Sequence, residues 1–130
     1  MKKAIIIGLV ALISLCIGEV FARYYLGLGD PPLVIGDVYM DYIFAPNQKC
    51  SRFGNNIFYN NVSMRNDFDI VKKEGRSGKI FIVGDSVVNG GVLTDHKDLA
   101  TSILQERMKI QVCNVSAGSW GPGNYAAYFF

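Results

Sequence analysis

Two short stretches carry residues fit for chemistry. Gly84-Asp85-Ser86 ends the apolar run Ile80-Phe81-Ile82-Val83, and Ser116-Ala117-Gly118 comes after the run Ile110 to Val115. A serine hydroxyl at such a break can attack an acyl carbon if a base takes its proton. The backbone N–H groups of Ser86 and of the glycine-rich stretch Ala117 to Asn124 could then hold an oxyanion between them. Ligands of open α/β sheets bind outside the carboxyl ends of the strands, where both stretches would lie.

Other glycine and serine motifs fit poorly. The α/β-hydrolase elbow, Gly-x-Ser-x-Gly, fails at Val88. A P-loop would need Gly-Lys-Ser/Thr, and a dinucleotide fingerprint needs three glycines that Gly84, Gly90 and Gly91 do not space correctly. The sequence holds one histidine, His96. Its neighbour Asp95 cannot orient it, because adjacent helical residues point apart. His96 is therefore expected to be an exposed first-turn residue rather than the base for Ser86. Asp85 reads as a turn-stabilising side chain, Trp120 as packing, and Asn89 as either a helix end or part of the cleft wall. Arg52 and Arg65 read as solvated or ion-paired, with contact to an anionic glycan as the functional alternative. No CxxC and no histidine cluster is present, so no metal site is expected, and no motif calls for a cofactor.

Periodicity and turn signals outline the scaffold around these residues. Lys79 to Val83 reads as a continuous apolar strand, as in a parallel sheet covered on both faces. Thr94 or Asp95 can cap a helix with Asp98 in its first turn and Leu99, Ile103, Leu104 and Met108 on one face. Ile110 to Val115 is a second strand, and the order strand, helix, strand calls for adjacent parallel strands with a right-handed crossover. Tyr125 to Phe130 starts a further helix. Upstream, residues 24–40 read as an extended connector rich in glycine and proline. Tyr42 to Phe44 and Ile57 to Tyr59 are short strand candidates, with Pro46-Asn47 and Gly54-Asn55-Asn56 as turns. Val71 to Gly78 reads as a polar linker.

The N-terminus is of another kind. Lys2 and Lys3 precede an uncharged apolar run, Ala4 to Gly18, which Val20-Phe21-Ala22 extend past Glu19 to Arg23. About 20 apolar residues span a bilayer, and the leading lysines predict a cytoplasmic N-terminus. Tyr24-Tyr25 would sit at the interface. The expected reading is a single-pass signal-anchor over residues 1–23, with a cleaved signal peptide as the competitor. Either way the remainder is extracytoplasmic, at the periplasm or cell surface. Of thirteen Lys/Arg and eleven Asp/Glu, ten of each lie beyond Arg23. No basic stripe results, so nucleic acid is not an expected partner. Cys50 and Cys113 could pair in an oxidising compartment, but two cysteines, one in a polar loop and one in a strand, make no framework. The sequons at Asn61 and Asn114 are short enough to arise by chance.

IVGDSVVNGG resembles the first sequence block of the SGNH (GDSL-type) hydrolases, and NVSAGSWGPGNY resembles their second. YYLGLGDPPL and RFGNNIFYNN-VSMRN are similar to the lead-in of membrane-anchored bacterial members. The resemblance covers most of residues 24–130. It implies a three-layer α/β/α, flavodoxin-like parallel sheet, with residues 24–78 as connector and lead-in and 79–130 as the first part of the hydrolase-like domain. It also implies ester hydrolysis or acyl transfer. On that match Ser86 is the nucleophile and one oxyanion donor, and Gly118 a second donor, with Ser119 one position away as the alternative. The family's Gly-x-Asn-Asp and Asp-x-x-His blocks, which supply a further donor and the base, have no counterpart in these 130 residues. A parallel sheet needs more than two strands. The expectation is therefore a C-terminally truncated hydrolase, inactive alone and marginally stable away from the membrane. A complementing C-terminal chain could supply the missing blocks, and an acylated glycan or lipid would be the substrate. The alternative is a non-catalytic anchored envelope protein that binds a glycan or a partner chain.

Overall fold

The computed structural model describes residues 2–71 and 78–130. Most of the expected linker at Val71 to Gly78 lies outside the described residues. Among the described residues the architecture is mixed α/β: a long N-terminal apolar helix, three two-stranded sheets and three short helices.

Helix α1 (Lys2–Val20) continues through a π-helical turn (Phe21–Tyr25), with Leu26 N–H bonded to Phe21 O at 3.2 Å. Together they span 24 residues, none of it buried within the protein. At 1.5 Å per residue that is about 36 Å, enough to cross a hydrocarbon core of about 30 Å. Helices of this kind serve as membrane anchors or as signal sequences.

The segment expected to be an extended connector contains a strand. β1 (Val34–Asp37) pairs antiparallel with β2 (Asp41–Phe44), Val34 opposite Phe44. Asp37 closes the turn by accepting from the N–H groups of Tyr39 (2.9 Å) and Met40 (3.0 Å). Four residues interrupted by Gly36 hold too little periodicity to mark a strand; the pairing partner makes it one. β3 (Gln48–Arg52) and β4 (Asn55–Tyr59) form a second hairpin. Its turn centres on Phe53 (φ 53°) and Gly54 (φ 79°), with positive φ at both positions as the right-handed strand twist requires. The expected turn at Gly54-Asn55-Asn56 is thus shifted, and Asn55 and Asn56 belong to β4.

β5 (Lys79–Gly84) and β6 (Gln111–Ser116) are parallel, Lys79 opposite Gln111 and Gly84 opposite Ser116. Among the described residues this sheet has two strands, and no three-layer arrangement is formed. β6 has Cys113 and Val115 on one face, in a core with Met40, Met64, Ala117 and Trp120. Residues upstream and downstream of the linker therefore share one core. The far edge of β6 is occupied by side chain and backbone rather than by a strand. Arg65 N–H bonds Asn114 O (3.0 Å), and Asn66 bridges Asn114 N–H (2.8 Å) and Val112 O (2.9 Å).

The helix expected from Asp95 onward is broken in two. A 3₁₀ turn (His96–Asp98) is capped by Asp95, and α3 (Ala100–Met108) starts after extended Leu99. Asp95 also accepts from the backbone and side-chain N–H of Asn56. This holds the turn against β4 while Leu99 is buried. In α3, Ile103 and Met108 of the expected apolar face are exposed and Thr101 is buried. The last helix, α4 (Pro122–Phe129), starts at Pro122, whose missing N–H costs nothing in a first turn. Cys50 lies in β3, buried with Ile57 and Tyr59, and Cys113 lies in the other core; both are free thiols.

Candidate functional site

The register of β5 and β6 fixes where their loops emerge. Gly84 stands opposite Ser116, so the loops bearing Ser86 and Gly118 leave the sheet side by side. Gly84 has no positive φ. Its missing side chain matters for space: a Cβ there would lie 2.3 Å from Val88 Cγ2. That close approach lets the chain fold back immediately into α2 (Ser86–Asn89), a single helical turn. Asp85 caps it, its carboxylate accepting from Val87 N–H at 2.9 Å. Gly90 ends it in the left-handed region (φ 72°), donating to Ser86 O at 3.0 Å. Ser86 is thus the first residue of α2, and it is exposed. A first-turn N–H has no intrahelical acceptor, and that of Ser86 makes no hydrogen bond among the described residues.

Two asparagines staple α2 to β6. Asn89, buried, donates to Ser116 O (2.8 Å) and accepts from Tyr59 Oη–H (3.2 Å) and Gly91 N–H (3.3 Å). Asn114, fully buried, donates to Val88 O and to Thr101 Oγ1, both at 3.0 Å, and accepts from Ser116 Oγ–H. Asn89 is therefore a structural helix end, and the sequon at Asn114 is closed to solvent. Arg65 holds the adjoining loop. It is fully buried, and its guanidinium donates to Asn89 O (3.4 Å), Gly91 O (3.2 Å) and Thr94 O (3.2 Å) while lying 5.4 Å from the Tyr59 ring centre. Neither solvated nor ion-paired as expected, it is held by three carbonyl oxygens while its Nη1 has no partner among the described residues, and its burial lowers its pKa.

Gly118 sits in the turn Ala117 to Trp120, with Trp120 N–H to Ala117 O at 3.4 Å. Tyr42 brackets it: the phenol donates to Gly118 O at 2.6 Å, and Tyr42 O accepts from Trp120 Nε1–H at 3.1 Å. A Cβ at Gly118 would lie 3.1 Å from that phenol oxygen. Burial raises the Tyr42 pKa, so it remains a donor at neutral pH. The Gly118 N–H makes no hydrogen bond among the described residues. Ser119, the alternative donor position, is in the left-handed region (φ 61°). Trp120 is buried as packing.

His96 is buried, not exposed as expected. Its Nε2 lies 3.4 Å from Asp67 Oδ1, and its ring meets Phe58 edge-to-face at 5.1 Å. Desolvation lowers its pKa despite Asp67. No hydrogen bond joins it to Ser86. Among the described residues no group of three or more His, Cys, Asp or Glu could hold a metal ion. Tyr42, Arg65, Asn66 and Asn114 are the positioning residues that sequence reasoning missed. The one available signal was Asn114, a carboxamide inside the apolar run IQVCNV.

The arrangement is a mixed α/β scaffold presenting an exposed serine and two N–H groups without partners among the described residues, at the carboxyl end of a parallel strand pair. No family model, no curated relative and no solved structure matches the chain.

Proposed function

We propose that this chain carries the nucleophile half of an SGNH (GDSL-type) serine hydrolase, held at a membrane by its N-terminal helix with the remainder outside the cytoplasm. The observation that supports it best is the pairing of Gly84 with Ser116, which brings the Ser86 and Gly118 loops together. In that reading Ser86 Oγ attacks an ester carbonyl, and the N–H groups of Ser86 and Gly118 hold the oxyanion. In that reading His96 is not the base, since among the described residues no hydrogen bond joins it to Ser86 and its Nε2 lies against Asp67. A complementing C-terminal chain or segment supplies it, together with the strands that extend the sheet into three layers. Among the described residues β5 pairs only with β6, so such a strand would add at its other edge. The chain alone is then inactive, and its substrate is an acylated glycan or lipid.

The test is acylation with a substitute base. The full chain in detergent is treated with a nitrophenyl ester, with and without imidazole, and digested for mass spectrometry. The expected result is an acyl group on the Ser86 peptide only when imidazole is present, and none in Ser86→Ala. Equal ester hydrolysis by the parent chain and Ser86→Ala, with no Ser86 adduct, refutes the nucleophile. Ser86-dependent hydrolysis without imidazole refutes the inactivity.

One observation favours the non-catalytic alternative. A polar cleft of about 210 Å³, separate from Ser86, is lined by Asn47, Lys49, Phe58, Asp67 and Asp69 among others. Carboxamides, acids and an aromatic face suit a glycan. Glycan binding that Ser86→Ala leaves intact and Asp67→Ala abolishes would favour this reading.

A further inference from the structure

The end of the apolar helix does not run into a free tether. Leu26 O accepts from Phe53 N–H at 2.8 Å, and a Cβ on Gly27 would lie 1.9 Å from Ser51 O. Gln48 then ties down Leu33 by accepting its N–H (2.8 Å) and donating to its O (2.9 Å). The helix is thereby seated on the β3–β4 hairpin within a few residues of its last turn. The same hairpin holds the loop beyond Ser86. Asn55 donates to Val92 O at 3.1 Å, and Val92 packs against Cys50, Ile57 and Tyr59.

This bracket carries exposed apolar side chains: Leu28 (42% exposed), Phe53 (44%) and Leu93 (77%). Tyr24 and Tyr25 lie exposed just before them. Arg52 lies over the Phe53 ring at 5.4 Å, and its Nε is buried without a partner among the described residues. An aromatic ring beside an arginine is suited to the boundary between acyl chains and phosphates, the ring on the apolar side and the guanidinium on the phosphate side.

We propose that the Arg52-Phe53 turn, with Leu28 and Leu93, is a second membrane contact that lies on the lipid surface beside the helix. The occupant is the phospholipid interface, because the Phe53 turn is hydrogen-bonded to the end of the apolar helix and pairs an apolar ring with a cation. This rests on Lys2–Tyr25 spanning the bilayer.

The test is depth-dependent quenching. The full chain is placed in phosphatidylglycerol-containing nanodiscs with lipids brominated near the glycerol end of the acyl chain. Phe53→Trp and Leu93→Trp report the patch, with buried Trp120 as a constant background. Glu106→Trp is the control. It lies in the last turn of α3, near the opposite end of β6, a strand of about 20 Å. A side chain about 5–10 Å into the interface should be quenched at least about threefold more than the control. Quenching at Phe53→Trp and Leu93→Trp no greater than at Glu106→Trp overturns the contact, including the case where a second copy covers the patch. Since all three reporters keep Ser86, a failed acylation assay leaves this result standing, and a failed quenching assay leaves the nucleophile standing.

Discussion

Replacing Asn89 with alanine tests whether the staple between α2 and β6 holds the Ser86 loop. The side chain makes three hydrogen bonds at a buried site: to Ser116 O, from Tyr59 Oη–H and from Gly91 N–H. Each bond is worth about 1 kcal/mol net, and each buried partner left unsatisfied costs about 1–3 kcal/mol. Gly91 is exposed and can turn to water, so the two buried partners dominate. The expected loss is about 3–4 kcal/mol. Tyr59→Phe removes one donor and leaves Asn89 with two partners, so about 1 kcal/mol is expected. The double variant should cost less than the sum of the two, because they share a bond. Trp120, the only tryptophan and itself buried, reports urea unfolding of the full chain in detergent. A loss under about 1 kcal/mol for Asn89→Ala, or full additivity with Tyr59→Phe, would refute the assignment of Asn89 as the staple.

Burial and backbone geometry give two further tests. Desolvation lowers the His96 pKa from the ordinary value of 6.5. As pH falls below 6.5 the unfolded chain takes up a proton that the folded chain refuses, so stability should fall between 6.5 and the lowered value. The urea midpoint should therefore drop from pH 7.5 toward about pH 5.5, and His96→Gln should flatten that drop; an unchanged slope in the variant would assign it elsewhere. Gly27→Ala meets both a left-handed φ of 68° and an approach of 1.9 Å to Ser51 O. The strain alone costs about 1–2 kcal/mol, enough to speed exchange of the Phe53 amide by about fivefold to thirtyfold. Unaltered protection of that amide would show that the helix end is not seated there.

Sequence alone settled the parts that rest on continuous local pattern. An uncharged apolar run of this length reads as a helix long enough to cross a bilayer, and four apolar residues closed by the Gly84 turn signal read as a strand. Both are legible because residue type and spacing along the chain carry them, although neither apolar run is buried within the protein. The parallel pair was legible for the same reason, as were the Asp85 turn and the helix at Tyr125. Elements that depend on a distant partner were not. Val34–Asp37 and Gln48–Arg52 become strands only because Asp41–Phe44 and Asn55–Tyr59 lie beside them. The helix after Asp95 is broken at extended Leu99, and the cap of its first turn is bound by Asn56, far away in sequence. The site divides along the same line. Ser86 and Gly118 could be named from glycines at strand ends, but their surroundings were set by folding. Arg65 looks like a surface charge, yet folding buries it among three carbonyls; His96 looks like a free first-turn residue, yet folding turns it to Asp67. A buried polar group is placed by whichever partners the fold brings within hydrogen-bonding distance, and neither composition nor period records which those are.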